Sequence, residues 1–385
     1  MSPRSTRRPV SGRRTVVNVV RMDPNKRGPV ELQLVESCRR WTASGGRFAC
    51  WFTDEAPAWF REMIESAGGS LGVLGDVSDQ ALWDREVLRV AADEDADLVH
   101  LHFAAPTVAR ALAAAGRAVV VTEHMELYPK PLAAPRRAAR FLRQRHVDAF
   151  IAVSAFIGKQ TVREHLAPRS KVAVVLNGVD LDHFRPRPAE RPALRAALLG
   201  VVDDRVVITV AAHLIPRKRQ ALLVQALPEL LRHHPRTLVV IAGGGPDEAA
   251  LRGLVDELGL VGNVMILTGD NDVAALYAAS DIAVLVSERE ALGGSAVEAM
   301  ACGIPVLTSR VGGLREVAED GVSGVLLDDC TPAGLAAALL PMVADPELRH
   351  RMGAAGRTRA QDVFDLAGAA RATCDLYTRL MAQGS

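Results

Sequence analysis

The chain has 385 residues, 49% hydrophobic, 24% charged and 4% aromatic, enough to bury two conventional cores, which excludes a single small module. Forty-six Lys and Arg against 45 Asp and Glu leave a formal charge of +1, so no net field draws the protein onto nucleic acid or a membrane surface. Cys38, Cys50, Cys302, Cys330 and Cys374 are scattered without a C-x-x-C pair, which speaks against a disulfide framework or a structural zinc site and for a reducing, cytoplasmic setting.

Residues 1–14 mix Ser, Pro and Arg without apolar periodicity and are expected to form a disordered tail. The apolar run that follows is too short for an export signal, and no stretch approaches the ~20 apolar residues a membrane span needs. Short β-branched runs then recur at 16–20, 47–52, 98–102, 118–122, 149–153 and 172–176. A second set follows at 206–211, 238–242, 264–267, 282–286, 305–308 and 324–327. Amphipathic segments of ~10–15 residues separate them, the pattern of parallel strands buried on both faces by helices. Two sets predict two doubly wound α/β domains, 15–183 and 184–363, divided at the proline-bearing stretch that begins at His183. Ligands of such folds bind outside the carboxyl ends of the strands, so facing domains of this kind place a substrate in an interdomain cleft.

Several segments carry chemistry. His100 and His102 alternate on one face of a strand; without a third ligand nearby in sequence, packing or cleft hydrogen bonding is expected of them rather than a metal. The acidic run 93–97 lacks the glycine and terminal glutamate of a calcium loop and reads as a solvated turn. No P-loop, dinucleotide fingerprint or nucleophile elbow occurs. The most informative stretch is 287–306, SEREALGGSAVEAMACGIPV, which reads as loop, helix and strand after an apolar strand. Gly293 and Gly294 at the helix entrance let backbone amides approach a phosphate, which the free N–H groups and helix dipole favour. Glu290 in the loop and Glu298 in the helix are placed to reach hydroxyls of the same ligand. The competing account is a capping box, in which Ser295 caps the helix and Glu298 answers a backbone donor.

Glu290 and Glu298, with Gly293 and the following AMACGIPV, resemble the E-x7-E region of retaining glycosyltransferases of family 4, which have the GT-B fold. The stretches 177–186 (NGVDLDHFRP), 241–246 (IAGGGP), 277–282 (YAASDI) and 311–316 (VGGLRE) fall in that family's order and spacing. The resemblance is strong from about Asp148 to Tyr377. It implies two facing Rossmann-like domains, the N-terminal one on the acceptor side, completed by helices at about 364–385 that cross back, and the C-terminal one binding a nucleotide-diphosphate sugar. It further implies that Glu298 holds the ribose, while Glu290 and the backbone at Leu292, Gly293 and Gly294 hold the donor sugar and phosphates. A carboxylate suits a ribose diol and stabilises positive charge developing at the sugar C1.

By the same resemblance the segment 211–219 (AAHLIPRKR) supplies cations for the diphosphate. Lys218 matches the family lysine, whereas the arginine position is His213, which cannot make a bidentate fork; Arg217 and Arg219 are candidates to compensate. Gly28, in 26–31 (KRGPVE), stands for the family's glycine-rich loop with a single glycine, followed by a proline that offers no N–H. His124, ending 119–124 (VVVTEH), resembles the histidine that contacts the donor sugar. Asp180 and Asp182 form a literal D-x-D but lie inside the interdomain signature and are expected to be structural. The resemblance thus implies metal-independent front-face transfer to an acceptor hydroxyl, with no cofactor beyond the donor. The acceptor is left as a natural-product core, a polysaccharide or a lipid-linked sugar, with the basic segment 125–145 shaping access and peripheral membrane contact open. The rivals are a sugar-nucleotide 2-epimerase of the same fold and a binding or scaffold subunit without turnover, the latter motivated by His213 and Pro29.

Overall fold

In the computed structural model the described residues are 13–24, 27–126, 141–142 and 144–382. The expected tail up to residue 12, Lys26 and most of 125–145 lie outside them. Packing divides the chain into two units, one running to Gly178 and resuming at Leu366, the other Val179–Asp365.

The first unit holds a seven-stranded, wholly parallel sheet of β1 (Thr15–Val20), β2 (Arg47–Phe52), β3 (Ser70–Val73), β4 (Leu98–His102), β5 (Ala118–Glu123), β6 (Ala149–Ala152) and β7 (Val172–Val174). Their order is β3-β2-β1-β4-β5-β6-β7. The two-residue period of a strand sorts its side chains between two cores. Val16 and Val20 join one, under α1 (Pro29–Ala43) and the C-terminal helix Leu366–Ala382; Val17 and Val19 join the other, under the helices Gln80–Asp93 and Ala109–Ala114. Asn18, His100, His102 and Thr122 have the parity of the first face, so four polar side chains enter an otherwise apolar layer. Strand β3 has no counterpart among the apolar runs of the sequence. It is a four-residue edge strand, partly exposed along its length and interrupted by Gly72, so neither alternation nor a β-branched run marks it.

Leu366–Ala382 belongs to this first unit. Its Ala369, Cys374, Tyr377 and Leu380 complete the core against α1, and the Cys374 thiol lies 3.6 Å from the Ser37 carbonyl oxygen.

The second unit contains a six-stranded parallel sheet: β8 (Val206–Ala211), β9 (Thr237–Ala242), β10 (Val264–Leu267), β11 (Ile282–Leu285), β12 (Val306–Ser309) and β13 (Gly324–Leu327), in the order β10-β9-β8-β11-β12-β13. Asp281, just before β11, pairs with Arg191 at 2.7 Å and Arg195 at 3.1 Å on the helix Arg191–Leu199, and accepts the Val207 N–H at 2.8 Å. The stretch 179–186 is pinned within this unit. Val179 N–H donates to Phe364 O at 2.7 Å, and the Arg357 guanidinium donates to the carbonyls of Leu181, Phe184 and Ala301. Asp180 Oδ1 accepts the N–H groups of Asp182 and His183 at 3.1 and 3.0 Å; this carboxylate closes a turn.

Candidate functional site

In the second unit the order of strands reverses between β8 and β11, and at such a point the loops leaving the strand ends diverge and open a crevice. The two loops there are 212–219 and 286–293. Glu288 N–H donates to Arg217 O at 2.7 Å, joining them. Lys218 Nζ then forms a close ion pair with Glu290 Oε1, with only 13% and 10% of the two side chains exposed. Ser287 Oγ donates to the same carboxylate oxygen at 2.9 Å, and Ser309 Oγ holds Ser287 O at 2.6 Å. Two of the sequence candidates, 72 residues apart, thus form one charged element. Ser287, which supports it, carries no signal in sequence beyond its place at a strand end.

The loop carrying Glu290 is held from behind by the 3-10 turn Gly312–Glu316. Gly313 N–H donates to Glu290 O at 2.9 Å, and a Cβ on Gly313 would stand 2.0 Å from Ala291 O. The paired glycines of the VGGLRE stretch are therefore a condition for the Glu290 loop to take this path. Gly293 adopts φ +105°, the left-handed conformation that favours glycine, and starts the helix Gly294–Ala301. No side chain caps this helix. Ser295 is the second residue of the helix and not its N-cap, which removes the capping-box account of Ser295. The first-turn N–H groups of a helix have no intrahelical acceptor and sit at its positive end, so this terminus suits a phosphate. Leu292 is buried, which leaves its backbone as the part able to meet a ligand. Glu298, half-buried on the same helix, lies near enough to Cys302 to help burial push that thiol up to about 12.

The remaining candidates of this unit lie outside the ion pair. His213 is exposed, with Nδ1 3.4 Å from Gly244 O, and its own carbonyl accepts Gln220 Nε2–H at 2.8 Å. Arg217 is exposed and Arg219, at φ +52°, forms the N-cap of the helix Gln220–His233. Neither the His213 ring nor the Arg217 side chain is bonded to Glu290.

The first unit holds a second polar assembly, at the carboxyl ends of β1, β4 and β5. Gly28, the N-cap of α1, is buried and its carbonyl accepts Leu32 N–H at 3.1 Å. His124 Nε2 lies 3.0 Å from His102 Nδ1, and His102 Nε2 lies 3.2 Å from Asn18 Oδ1. His100 bridges Tyr377 Oη and Thr122 Oγ1, each at 2.6 Å. His100 and His102 are thus hydrogen-bonded within the fold, and Asn18, Thr122 and Tyr377 are partners that no motif announced. The alternation of Asn18 between Val16 and Val20 was the one usable sign, a polar side chain where a buried face requires an apolar one.

Burial holds all three histidines neutral: it drives His100 and His102 well below the usual imidazole range and His124 down to about 3. The folded values lie below the unfolded one, so their contribution to stability is complete above about pH 6.5 and is lost as pH falls toward the folded values, because only the unfolded chain takes up protons in that interval. Each such histidine is expected to weaken folding by about 1.4 kcal/mol per pH unit below about 6.5. Urea titrations between pH 7.5 and 5 check this; His100→Asn and His124→Gln should each flatten the slope, and an unchanged slope would contradict the assignment.

Two parallel sheets of the doubly wound type, one in each unit and the second with a cation–carboxylate pair and a helix start at its switch point, define an α/β protein of the GT-B class. The family description "Glycosyltransferase Family 4" matches residues 30–183 and "Glycosyl transferases group 1" matches 192–359. The chain is 34% identical over 330 residues to a D-inositol 3-phosphate glycosyltransferase of Nocardioides, an alignment covering 78% of this chain and 71% of that one. It is also 34% identical over 234 residues to a GDP-mannose-dependent alpha-(1-6)-phosphatidylinositol monomannoside mannosyltransferase of Mycolicibacterium smegmatis, covering 58% and 56%. Over the first curated relatives it matches, the chain spans little more than half their length. Among solved structures it resembles a glycosyltransferase from Rickettsia africae (TM-score 0.82, 19% identity, 96% and 99% covered) and Anabaena HepE in complex with UDP and glucose (TM-score 0.79, 21% identity, 95% and 100% covered). The chain belongs to glycosyltransferase family 4. Among the described residues no helix is long and apolar enough to cross a membrane.

Proposed function

We propose that this protein transfers a sugar from a nucleotide-diphosphate donor to an acceptor hydroxyl with retention of configuration and without a metal. The observation that carries it is the buried Lys218–Glu290 pair beside the Gly293–Gly294 helix start, at the strand-order reversal of the second unit. The helix N-terminus receives a phosphate, Glu298 the ribose, and Glu290 the sugar, where a carboxylate opposes positive charge developing at C1. Lys218, with Arg217 and Arg219 nearby in sequence, compensates the charge gained by the leaving diphosphate. That cationic set supports transfer without a divalent ion. In front-face transfer the acceptor hydroxyl attacks from the leaving-group side, the C1–O bond to the diphosphate breaks, and the departing phosphate oxygen takes the hydroxyl proton. His124 contributes a hydrogen bond to a sugar hydroxyl. Relatives named for a phosphatidylinositol monomannoside and for D-inositol 3-phosphate support a polyol or phosphoinositide acceptor, and the five free cysteines support a reducing, cytoplasmic setting.

Donor identity is tested by thermal shift with UDP-, GDP-, ADP- and TDP-sugars, with and without magnesium. One nucleotide class should stabilise the wild type by about 2.7 kcal/mol at a hundredfold excess over Kd, equally with chelator, and Glu298→Ala should lose that shift. Mass spectrometry of acceptor mixtures, inositol phosphates included, then identifies the product, and the anomeric proton coupling in its NMR spectrum gives the configuration. A donor consumed without any acceptor would instead indicate the 2-epimerase. Binding without turnover would indicate the scaffold subunit.

A further inference from the structure

The carboxylate of Glu290 is held through one of its oxygens. Oε1 receives both the Lys218 ammonium and, at 2.9 Å, the Ser287 hydroxyl. Oε2 has no hydrogen bond among the described residues and is not sealed from solvent. One oxygen is therefore engaged within the fold and the other is left to meet a ligand. The two holds on Oε1 differ in kind. Lys218 is a point charge on a flexible four-carbon stem, and in the proposed reaction it also serves the diphosphate, whose negative charge draws it from the carboxylate. Ser287 is neutral, so an arriving anion does not recruit it, and its one O–H is already directed at Oε1. The serine is itself fixed. It is fully buried just past the end of β11, where a hydroxyl has to find an acceptor. Strands β11 and β12 pair as far as Leu285 and Thr308, and Ser309 Oγ carries the contact further by donating to Ser287 O at 2.6 Å. Ser309 is fully buried as well, and its carbonyl accepts Val311 N–H at 2.9 Å. Two hydroxyls thus tie the Glu290 carboxylate to the sheet of the second unit by a route that does not pass through the lysine.

We propose that Ser287 is a positioning residue for sugar transfer: its hydroxyl keeps Oε1 of Glu290 in place when Lys218 turns to the diphosphate, so that Oε2 stays presented to the donor sugar, and Ser309 sets Ser287. The proposal rests on the reading of the protein as a glycosyltransferase. It adds two residues to which the family resemblance gave no role. Neither meets the substrate; both matter to transfer because a carboxylate that followed the lysine would leave the position where charge develops.

The test uses UDP, GDP, ADP or TDP, whichever stabilises the wild type in thermal shift, together with its sugar. Ser287→Ala, which removes a single oxygen atom, should lose about tenfold or more in kcat, while the donor KM and the Kd of the nucleoside diphosphate stay within about threefold. Wild-type kcat overturns the proposal. So does a Kd that weakens in step with kcat, because a serine that merely supports the loop would disturb phosphate binding as much as transfer. In a Glu290→Ala background the same serine change should cost less than about threefold, since no carboxylate remains to be placed; an undiminished loss there refutes the role. Crystal structures with the nucleoside diphosphate bound need no turnover. Ser287 Oγ should remain within hydrogen-bond distance of Glu290 Oε1 while Lys218 turns to the diphosphate, and in Ser287→Ala the carboxylate should have moved. A carboxylate in the same place with and without the hydroxyl overturns the proposal. The retained contact in a protein that transfers no sugar would count against the glycosyltransferase reading alone, whereas a chain that none of the four nucleotides stabilises would lose both.

Discussion

Glu290→Ala is expected to reduce kcat/KM for sugar transfer by about 10²–10³, and to destabilise the second unit in the same step. The carboxylate is the partner of a lysine whose side chain is 13% exposed. Removing either member of a buried pair leaves the other charge uncompensated, at a cost of about 3–5 kcal/mol. Glu290→Ala and Lys218→Ala should therefore each lower the urea midpoint strongly, while the double variant loses much less than the two added together. Glu290→Gln separates the two roles. Its amide keeps an oxygen for Ser287 and for Lys218, so much of the stability should return, but without a full negative charge to oppose the developing cation transfer should stay impaired. Additive stability losses, or a Glu290→Gln enzyme with wild-type turnover, would show that the pair is an ordinary surface contact.

Gly313→Ala, at a residue that is not itself a candidate ligand, is expected to be nearly as damaging. The new Cβ would stand 2.0 Å from Ala291 O and 2.8 Å from Leu292 Cα, both backbone atoms that cannot move aside as a side-chain tip can. Either the 3-10 turn lifts away, breaking the Gly313 N–H to Glu290 O bond, or the Glu290 loop shifts. Overpacking of this kind costs typically 1–3 kcal/mol, and a displacement of the Glu290 carboxylate by about 1 Å is enough for a 10²-fold loss in transfer. The measurement is Tm together with donor affinity: both should fall, in contrast to Gly262→Ala, where nothing stands within 4 Å of the added methyl and neither should change. Equal behaviour of the two variants would remove the turn from the design of the site.

Much of the architecture was readable without coordinates because buried parallel strands leave a strong local record. A run such as Val206–Ala211 is covered on both faces and has to be apolar along its whole length. Ser70–Val73 escaped because an edge strand, partly exposed and broken by glycine, obeys no such requirement. The candidate residues Glu290, Gly293 and Glu298 were named through the family resemblance, and they lie within one strand–loop–helix segment, where short-range geometry is what a linear motif encodes. The capping-box alternative could not be settled that way, since Ser295 as a cap or as an interior helix residue differs by where the helix begins, and that depended on Gly293 reaching φ +105° under Leu314.

The amino-acid sequence by itself therefore determined the two doubly wound units, the membership of the family and the identity of the residues around the helix start. The reason is that burial on two faces and glycine-dependent backbone paths are local demands met by local residue choice. Only the tertiary structure decided that Lys218 meets Glu290 across 72 residues, and that Tyr377 from the last helix closes a network begun by Asn18 on the first strand. These pairings arise from strand order and from the return of Leu366–Ala382 to the first sheet. A hydrogen bond between residues 359 positions apart leaves no periodicity behind it; only folding brings the partners within reach.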